Sequence, residues 1–398
     1  MSGGNAPATQ AKPNSASTVT RALLPFIAVT FVGYCAVGLP LSTLPLLVHR
    51  MGYGTAIVGV VMGLAPAVTL LTRQMAGSLA DRVGPKRMVM IGLVTAALSG
   101  VAYLFSAGLP PAMALAAVMI GRLVLGLGDS LFTTALTGWM VTEVGPANAG
   151  RALSLNGVAM YGAFAAGAPI GALLGSLGGF GAVAVAVILL PLLGIPIIAA
   201  QPSLRVASAR RSGFGKVVGA MWPPGVGLIL ASSGFGTIAA FLALRYDEQG
   251  WAGGGWALMT FGGVYIIARL LMGGLPDRLG GIKVALVCLV TEAAGLSVIA
   301  AAGSPLVAVL GTALTGLGYS LVFPALGVEV VRRVAPENRS VALGAFLACF
   351  DLGLGAAGPV MGLLAAGHGL STAFMGAAAA CLVSLVLVWT TRVRRQVA

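Results

Sequence analysis

Charge is what this chain has least of. Only 8% of its 398 residues are charged, and acids are rarer than bases, with 10 Asp and Glu against 23 Lys and Arg. A soluble domain carries about 25% charged and about 45–50% apolar residues. At 58% hydrophobic, this chain cannot cover itself with a polar surface. Histidine is nearly absent, and neither His49 nor His368 has a Cys or carboxylate at ligand spacing, so no metal centre is expected. Cys35, Cys288, Cys349 and Cys381 fall in apolar runs without a CxxC spacing, which excludes a disulfide framework or zinc site. HExxH, a Ser/His pair at depth and a catalytic aspartate pair are also missing, so the chain reads as a non-enzyme, with an intramembrane enzyme as a remote alternative. Residues 1–20 lack the charged start and apolar stretch of a signal peptide and read as a disordered cytoplasmic tail.

What is there is a series of apolar runs, each long enough for a helix to cross roughly 30 Å of hydrocarbon. Twelve spans are expected, at 22–47, 55–79, 87–107, 112–140, 152–175, 180–200, 224–245, 253–275, 283–302, 305–331, 341–366 and 371–391. The chain is an all-α membrane protein on this reading. An N-terminal six-helix bundle covers 21–200, a cytoplasmic linker 201–223, a C-terminal bundle 224–391 and a tail 392–398. The basic residues set the topology. Eighteen of the 23 fall in the tails and even-numbered loops, two (Arg50, Arg245) on the other side, and three (Arg73, Arg122, Arg269) inside spans. That bias places both termini in the cytoplasm and accounts for the basic excess without nucleic acid. Arginine outnumbers lysine 19 to 4 in a chain rich in Ala and Gly, which fits a GC-rich bacterial genome and hence an inner membrane.

One charged phrase occurs twice. Gly77-Ser-Leu-Ala-Asp81-Arg82-Val-Gly84-Pro-Lys86-Arg87 returns 196 positions on as Gly273-Gly-Leu-Pro-Asp277-Arg278-Leu-Gly280-Gly-Ile-Lys283, and Arg73 falls on Arg269 at the same offset. A second series, from Gly126 to Pro146, returns as Gly316 to Pro336 at an offset of 190. Two ordered series with nearly equal offsets point to a duplicated half, a common building plan of transporters. Gly84 and Gly280 turn the chain, while Arg82, Lys86 and Arg87 stay in the headgroup zone.

The first phrase resembles the loop 2–3 motif of the major facilitator superfamily. Within it, "VGLPLSTLPLLVHR" (37–50) and "LVFPALGVEVV" (321–331) are similar to the YhhS-type subfamily of bacterial, drug- and sugar-efflux-like transporters. The resemblance implies two pseudo-symmetric six-helix bundles. It also implies a cytoplasmic gate formed by Arg73, Gly77, Asp81, Arg82, Gly84, Arg269, Gly273, Asp277, Arg278 and Gly280, with Gly77 allowing close helix approach. Arg122-Leu-Val-Leu-Gly126-Leu-Gly128 resembles the helix 4 motif of proton-coupled exporters, departing from it at Leu125.

Intramembrane charges mark function by default, because each is costly in hydrocarbon. Arg122, Gly126 and Asp129 share one helical stripe; Arg122 holds proton or substrate charge there, or pairs with Asp129. Asp351, with Gly355, Gly358 and Gly362 on its stripe, is the first choice for the proton, with Asp129 and Glu292 behind it. Tyr34, Tyr161, Tyr265 and Tyr319 are expected to line the substrate cavity, Tyr161 aligning with Asp351 and Asp129 with Tyr319 across the halves. Export of a small organic solute against protons by a monomer in the bilayer is the favoured function, with the proton gradient as energy source and no cofactor. A symporter or facilitator importing a sugar or organic acid is the alternative.

Overall fold

The computed structural model describes residues 16–203, 214–334 and 339–397, and among them every regular element is helical. The first crossing is α1 (Ala16–Gly38) and α2 (Leu44–Arg50), joined by a 3-10 turn at Leu39–Ser42. Hydropathy alone reads this stretch as one run. Pro40 and Pro45 lack the N–H that a continuous helix needs, and the chain bends there. Next come α3 (Thr55–Val83), α4 (Pro85–Phe105) and α5 (Pro111–Val144). The fifth and sixth crossings are both in α6 (Ala149–Ala199), which non-helical dihedrals at Gly178 and Gly179 divide.

The second half holds α7 (Phe214–Glu248), α8 (Gly254–Met272), the short α9 (Leu275–Leu279), α10 (Gly281–Ala301), α11 (Pro305–Arg333), α12 (Arg339–His368) and α13 (Leu370–Val397). Eleven stretches are long and apolar enough to cross a membrane, and the division of α6 makes twelve crossings among the described residues. Three of the differences from the sequence reading fall at the expected domain boundaries. α1 starts within the segment read as a tail, α7 starts ten residues before 224, and α13 runs to Val397. Residues 1–15, 204–213, 335–338 and 398, which include most of the expected N-terminal tail and part of the expected linker, lie outside the described residues.

The repeated phrase builds the same turn twice. Gly84 caps α3 at φ 94° and Gly280 caps α9 at φ 92°, a region where only glycine sits without strain. Pro85 then opens α4, where its missing N–H costs nothing. The copies differ upstream: α3 continues unbroken through the motif, whereas the second copy breaks at Gly273 and Gly274 between α8 and α9.

The core is divided unevenly. Arg82, Lys86, Arg87, Arg278 and Lys283 mark one end of the molecule, called here the basic face. In the half nearer that face each bundle has its own core, one around Phe26, Leu93, Phe132 and Trp139, the other around Leu289, Val322, Leu326 and Phe346. In the far half one core runs through both bundles, from Leu44, Val58 and Phe164 to Phe241, Phe261 and Phe374, beside a smaller one inside the N-terminal bundle around Leu39, Tyr103, Leu125 and Val187. The bundles are thus fused in the far half and separate in the basic half.

Candidate functional site

Two helix pairs close the far half. Along α3 and α12, Gly59 meets Gly358 and Gly63 meets Gly355 and Pro359 so closely that a methyl group on Gly59, Gly63 or Gly358 would strike the opposite chain. The Thr55 hydroxyl donates to the Gly362 carbonyl at 3.0 Å. Along α6 and α8, Gly255 sits against Ala168, Pro169 and Ala172, and Gly262 against Tyr161 and Ala165. Small residues let the backbones approach, where dispersion between them is strongest. The glycine stripe beside Asp351 therefore packs on the other bundle. The similar stripe of span 5 does not: Gly167 and Gly171 hold the α1 bend at Gly38–Leu39 within one bundle.

At mid-depth this seam ends in an ion pair. Arg73 of α3 reaches across to Asp351 of α12, with Nε donating to Oδ2 at 2.7 Å and Nη2 lying 2.5 Å from the same oxygen. The side chain of Asp351 is 6% exposed and that of Arg73 20%. Beside the pair is a cavity of about 80 Å³ between the bundles. Its charged lining residues are Arg122, Asp129 and Asp351, and its aromatic ones Tyr34, Phe164, Phe235 and Phe350.

The other intramembrane arginines are held by proline. Pro66 has no N–H to give the Met62 carbonyl, its partner one helical turn back. Arg122 supplies the missing donor: Nη2 bonds Met62 O at 2.6 Å and Nε bonds Val61 O at 3.1 Å. The second half repeats the device with donor and acceptor helices exchanged. Pro324 frees the Ser320 carbonyl, and Arg269 bonds it through Nη1 at 2.9 Å. Arg122 forms no ion pair with Asp129 among the described residues; its Nη1 and the buried hydroxyl of Tyr103 lie beside each other without a well-formed hydrogen bond. Asp129 instead has the Thr69 hydroxyl 3.2 Å from Oδ2, and its Oδ1 has no partner.

Several expected site residues lie elsewhere. Arg73 stands at the cavity rather than at the basic face, and Arg269 stays within its own bundle. Of the four tyrosines, Tyr34 lines the cavity. Tyr161, Tyr265 and Tyr319 pack beside it in an aromatic stack with Phe235 and Phe261, the rings of Tyr161 and Tyr265 3.8 Å apart. Gly77 makes only an ordinary contact, 3.8 Å to Thr134, so close approach is not why glycine stands there. Asp81, Arg82, Asp277 and Arg278 are exposed or half-buried, and among the described residues none of them forms an ion pair. Glu292 is buried in α10, away from the cavity lining. Pro66, Thr69, Phe164 and Phe235 are not singled out by the sequence; the Pro-to-Arg relation is the available signal for the first.

The model of the Major Facilitator Superfamily matches residues 26–254 and again 224–398. The chain belongs to the major facilitator superfamily. It is a multi-pass membrane transporter, not an enzyme, and membership supports secondary transport by alternating access. An uncharacterised MFS-type transporter of Pseudomonas aeruginosa is 41% identical over 96% of both chains. The Escherichia coli K12 transporter YhhS is 38% identical over 94% of this chain and 93% of its own. Among solved structures, the nucleoside transporter NupG superposes with a TM-score of 0.70 at 16% identity, covering 93% of this chain and 98% of that one. The human organic anion transporter MFSD10 gives 0.73 at 16%, covering 93% of this chain and 99% of that one. At such identities these two speak for the superfamily fold alone.

Proposed function

We propose that this superfamily member is a proton-coupled exporter of a small organic solute, acting as a monomer in a bacterial inner membrane with both termini in the cytoplasm. The positive-inside distribution of Lys and Arg supports the orientation. On that orientation the basic face is cytoplasmic and the structure is an inward-facing state. The observation that carries the coupling is the Arg73–Asp351 pair. It joins the two bundles at the edge of the cavity, and it requires an ionised Asp351. A proton on Asp351 removes its charge and frees the bundles to part at the seam, while Asp129, on the same bundle as Arg73, offers the guanidinium an unpartnered oxygen. In the opposite state, Asp81, Arg82, Asp277 and Arg278 latch the cytoplasmic side. The helix 4 stretch from Arg122 to Gly128 supports export.

A second reading, uptake of an organic acid with protons, draws on one observation. Arg122 lines the cavity, and among the described residues no carboxylate is bonded to it. The two readings separate in proteoliposomes loaded with a pH-sensitive dye and challenged in turn with sugars, amphiphilic cations and organic acids under an imposed proton gradient. Export predicts that a transported compound moves against the proton. Uptake predicts that an anion and a proton travel together. Solute flux with no proton movement contradicts both.

A further inference from the structure

Glu292 takes no part in the seam or in the cavity beside it. It lies in the middle of α10, is 0% exposed, and neither carboxyl oxygen has a hydrogen-bond partner. An unsatisfied buried polar group costs about 1–3 kcal/mol, and more if charged. Three hydroxyls close by share that condition: Ser232 of α7, Tyr319 of α11 and Tyr161 of α6 are buried without partners. The Tyr319 hydroxyl is within hydrogen-bonding reach of Tyr161 and Ser232 and within electrostatic reach of Glu292, and its ring centroid lies 6.0 Å from that of Tyr161. Gly234 leaves α7 bare in front of the carboxyl, where a methyl group would collide with Oε1. The other polar neighbours are Cys381 of α13, Cys288 one turn away on α10, and Tyr265 of α8. Among the described residues no Arg or Lys acts electrostatically on Glu292.

Polar groups this close, buried and without a well-formed hydrogen bond, are the setting in which buried water bridges. We propose that these four side chains hold a short file of water, and that Glu292 exchanges a proton through it with the seam between the bundles. Tyr161 is the only one of the four from the N-terminal bundle, and it reaches the others because the far half is closed. The file is therefore complete in this state and is cut when the bundles part there. Glu292 becomes a second proton site, within one bundle, whose access follows the conformation. The inference rests on the transporter reading for its purpose but not for its test.

The test is infrared difference spectroscopy of the purified protein in lipid nanodiscs during exchange from H2O to D2O, which requires no substrate. The wild type is expected to show a carboxylic-acid C=O band that shifts in D2O, that persists in Asp351→Asn and that disappears in Glu292→Gln. Tyr319→Phe, which keeps the ring and removes the hydroxyl, keeps the band and slows its exchange by about tenfold or more, the effect of one lost hydrogen-bond link. If Glu292→Gln does not fold, Ser232→Ala and Tyr319→Phe are read alone, and both must slow exchange. Absence of the band, or a band that does not exchange, makes Glu292 a dry structural acid and overturns the proposal. Loss of the band on adding Na⁺ at fixed pH makes the site a cation site and also overturns it. Failure of solute transport in vesicles would leave these outcomes unchanged.

Discussion

Arg122 illustrates how a charge is carried in hydrocarbon without a direct ion-pair partner. Its guanidinium replaces the N–H that Pro66 cannot supply, so removing either partner alone has different consequences. Arg122→Leu leaves the Met62 carbonyl buried and unpaired and is expected to destabilise the protein by about 1–3 kcal/mol. In a Pro66→Ala background the helix repairs itself and the same substitution should cost less. A double-mutant cycle on thermal unfolding in detergent reads the coupling, expected at about 1 kcal/mol. Equal costs in both backgrounds would remove proline from the explanation. Arg269 and Pro324 give an independent repeat of the experiment. This relation is legible in part. The depth of each arginine follows from hydropathy, but nothing along the chain says that Arg122 turns to α3 rather than down its own helix to Asp129. Asp351 and Arg73 stand 278 residues apart, and two repeats at different offsets cannot reveal a contact between them.

Helix α12 shows what glycine spacing conveys and what it omits. A stripe of Gly355, Gly358 and Gly362 correctly implies a packed face rather than a lipid-facing one. The equally regular stripe of span 5 packs inside its own bundle, so spacing does not name the partner. Aligned positions across the halves likewise do not tell which tyrosines face the cavity: Tyr161 and Tyr319 are aligned with carboxylates that line it, yet their rings pack behind Phe235, which lines it. The α3–α12 seam makes two predictions. Gly358→Leu cannot fit against Gly59 and should hold the far side open, raising labelling of Thr55→Cys by a membrane-impermeant maleimide in a background without native cysteines. Unchanged labelling would mean that this seam is not what closes the far side. At Gly355 a Cβ would lie 3.5 Å from that of Ala67, within disulfide range. Ala67→Cys with Gly355→Cys should therefore cross-link on oxidation and arrest transport, with recovery on reduction. Transport that continues with the bridge formed would contradict a moving seam.

At the scale of the whole molecule, the asymmetry of the cores is the main functional statement. One shared core in the far half and two separate cores in the basic half describe a molecule closed on one side and parted on the other. Asp81 and Asp277, exposed and without ion-pair partners among the described residues, agree with that, since a latch between the bundles has nothing to grip while they are apart. Fold and membership are legible because they depend on long apolar runs and on a motif with charged residues at fixed places. The cargo is not, because a cavity of about 80 Å³ in this state contains no print of it. The central claim is that the Arg73–Asp351 pair couples a proton to movement of the bundles. Breaking a buried pair from one side costs about 3–5 kcal/mol, whereas exchanging both charges retains it. The most direct measurement is proton-linked solute flux in proteoliposomes for wild type, Asp351→Asn, Arg73→Gln and the exchange Arg73→Asp with Asp351→Arg. The account predicts that both single variants lose gradient-driven flux by about tenfold or more, at least about 1.4 kcal/mol. It also predicts that the exchange restores bundle closure, read by the maleimide at position 55, even where flux is only partly recovered. Gradient-driven flux at the wild-type level in Asp351→Asn would contradict it.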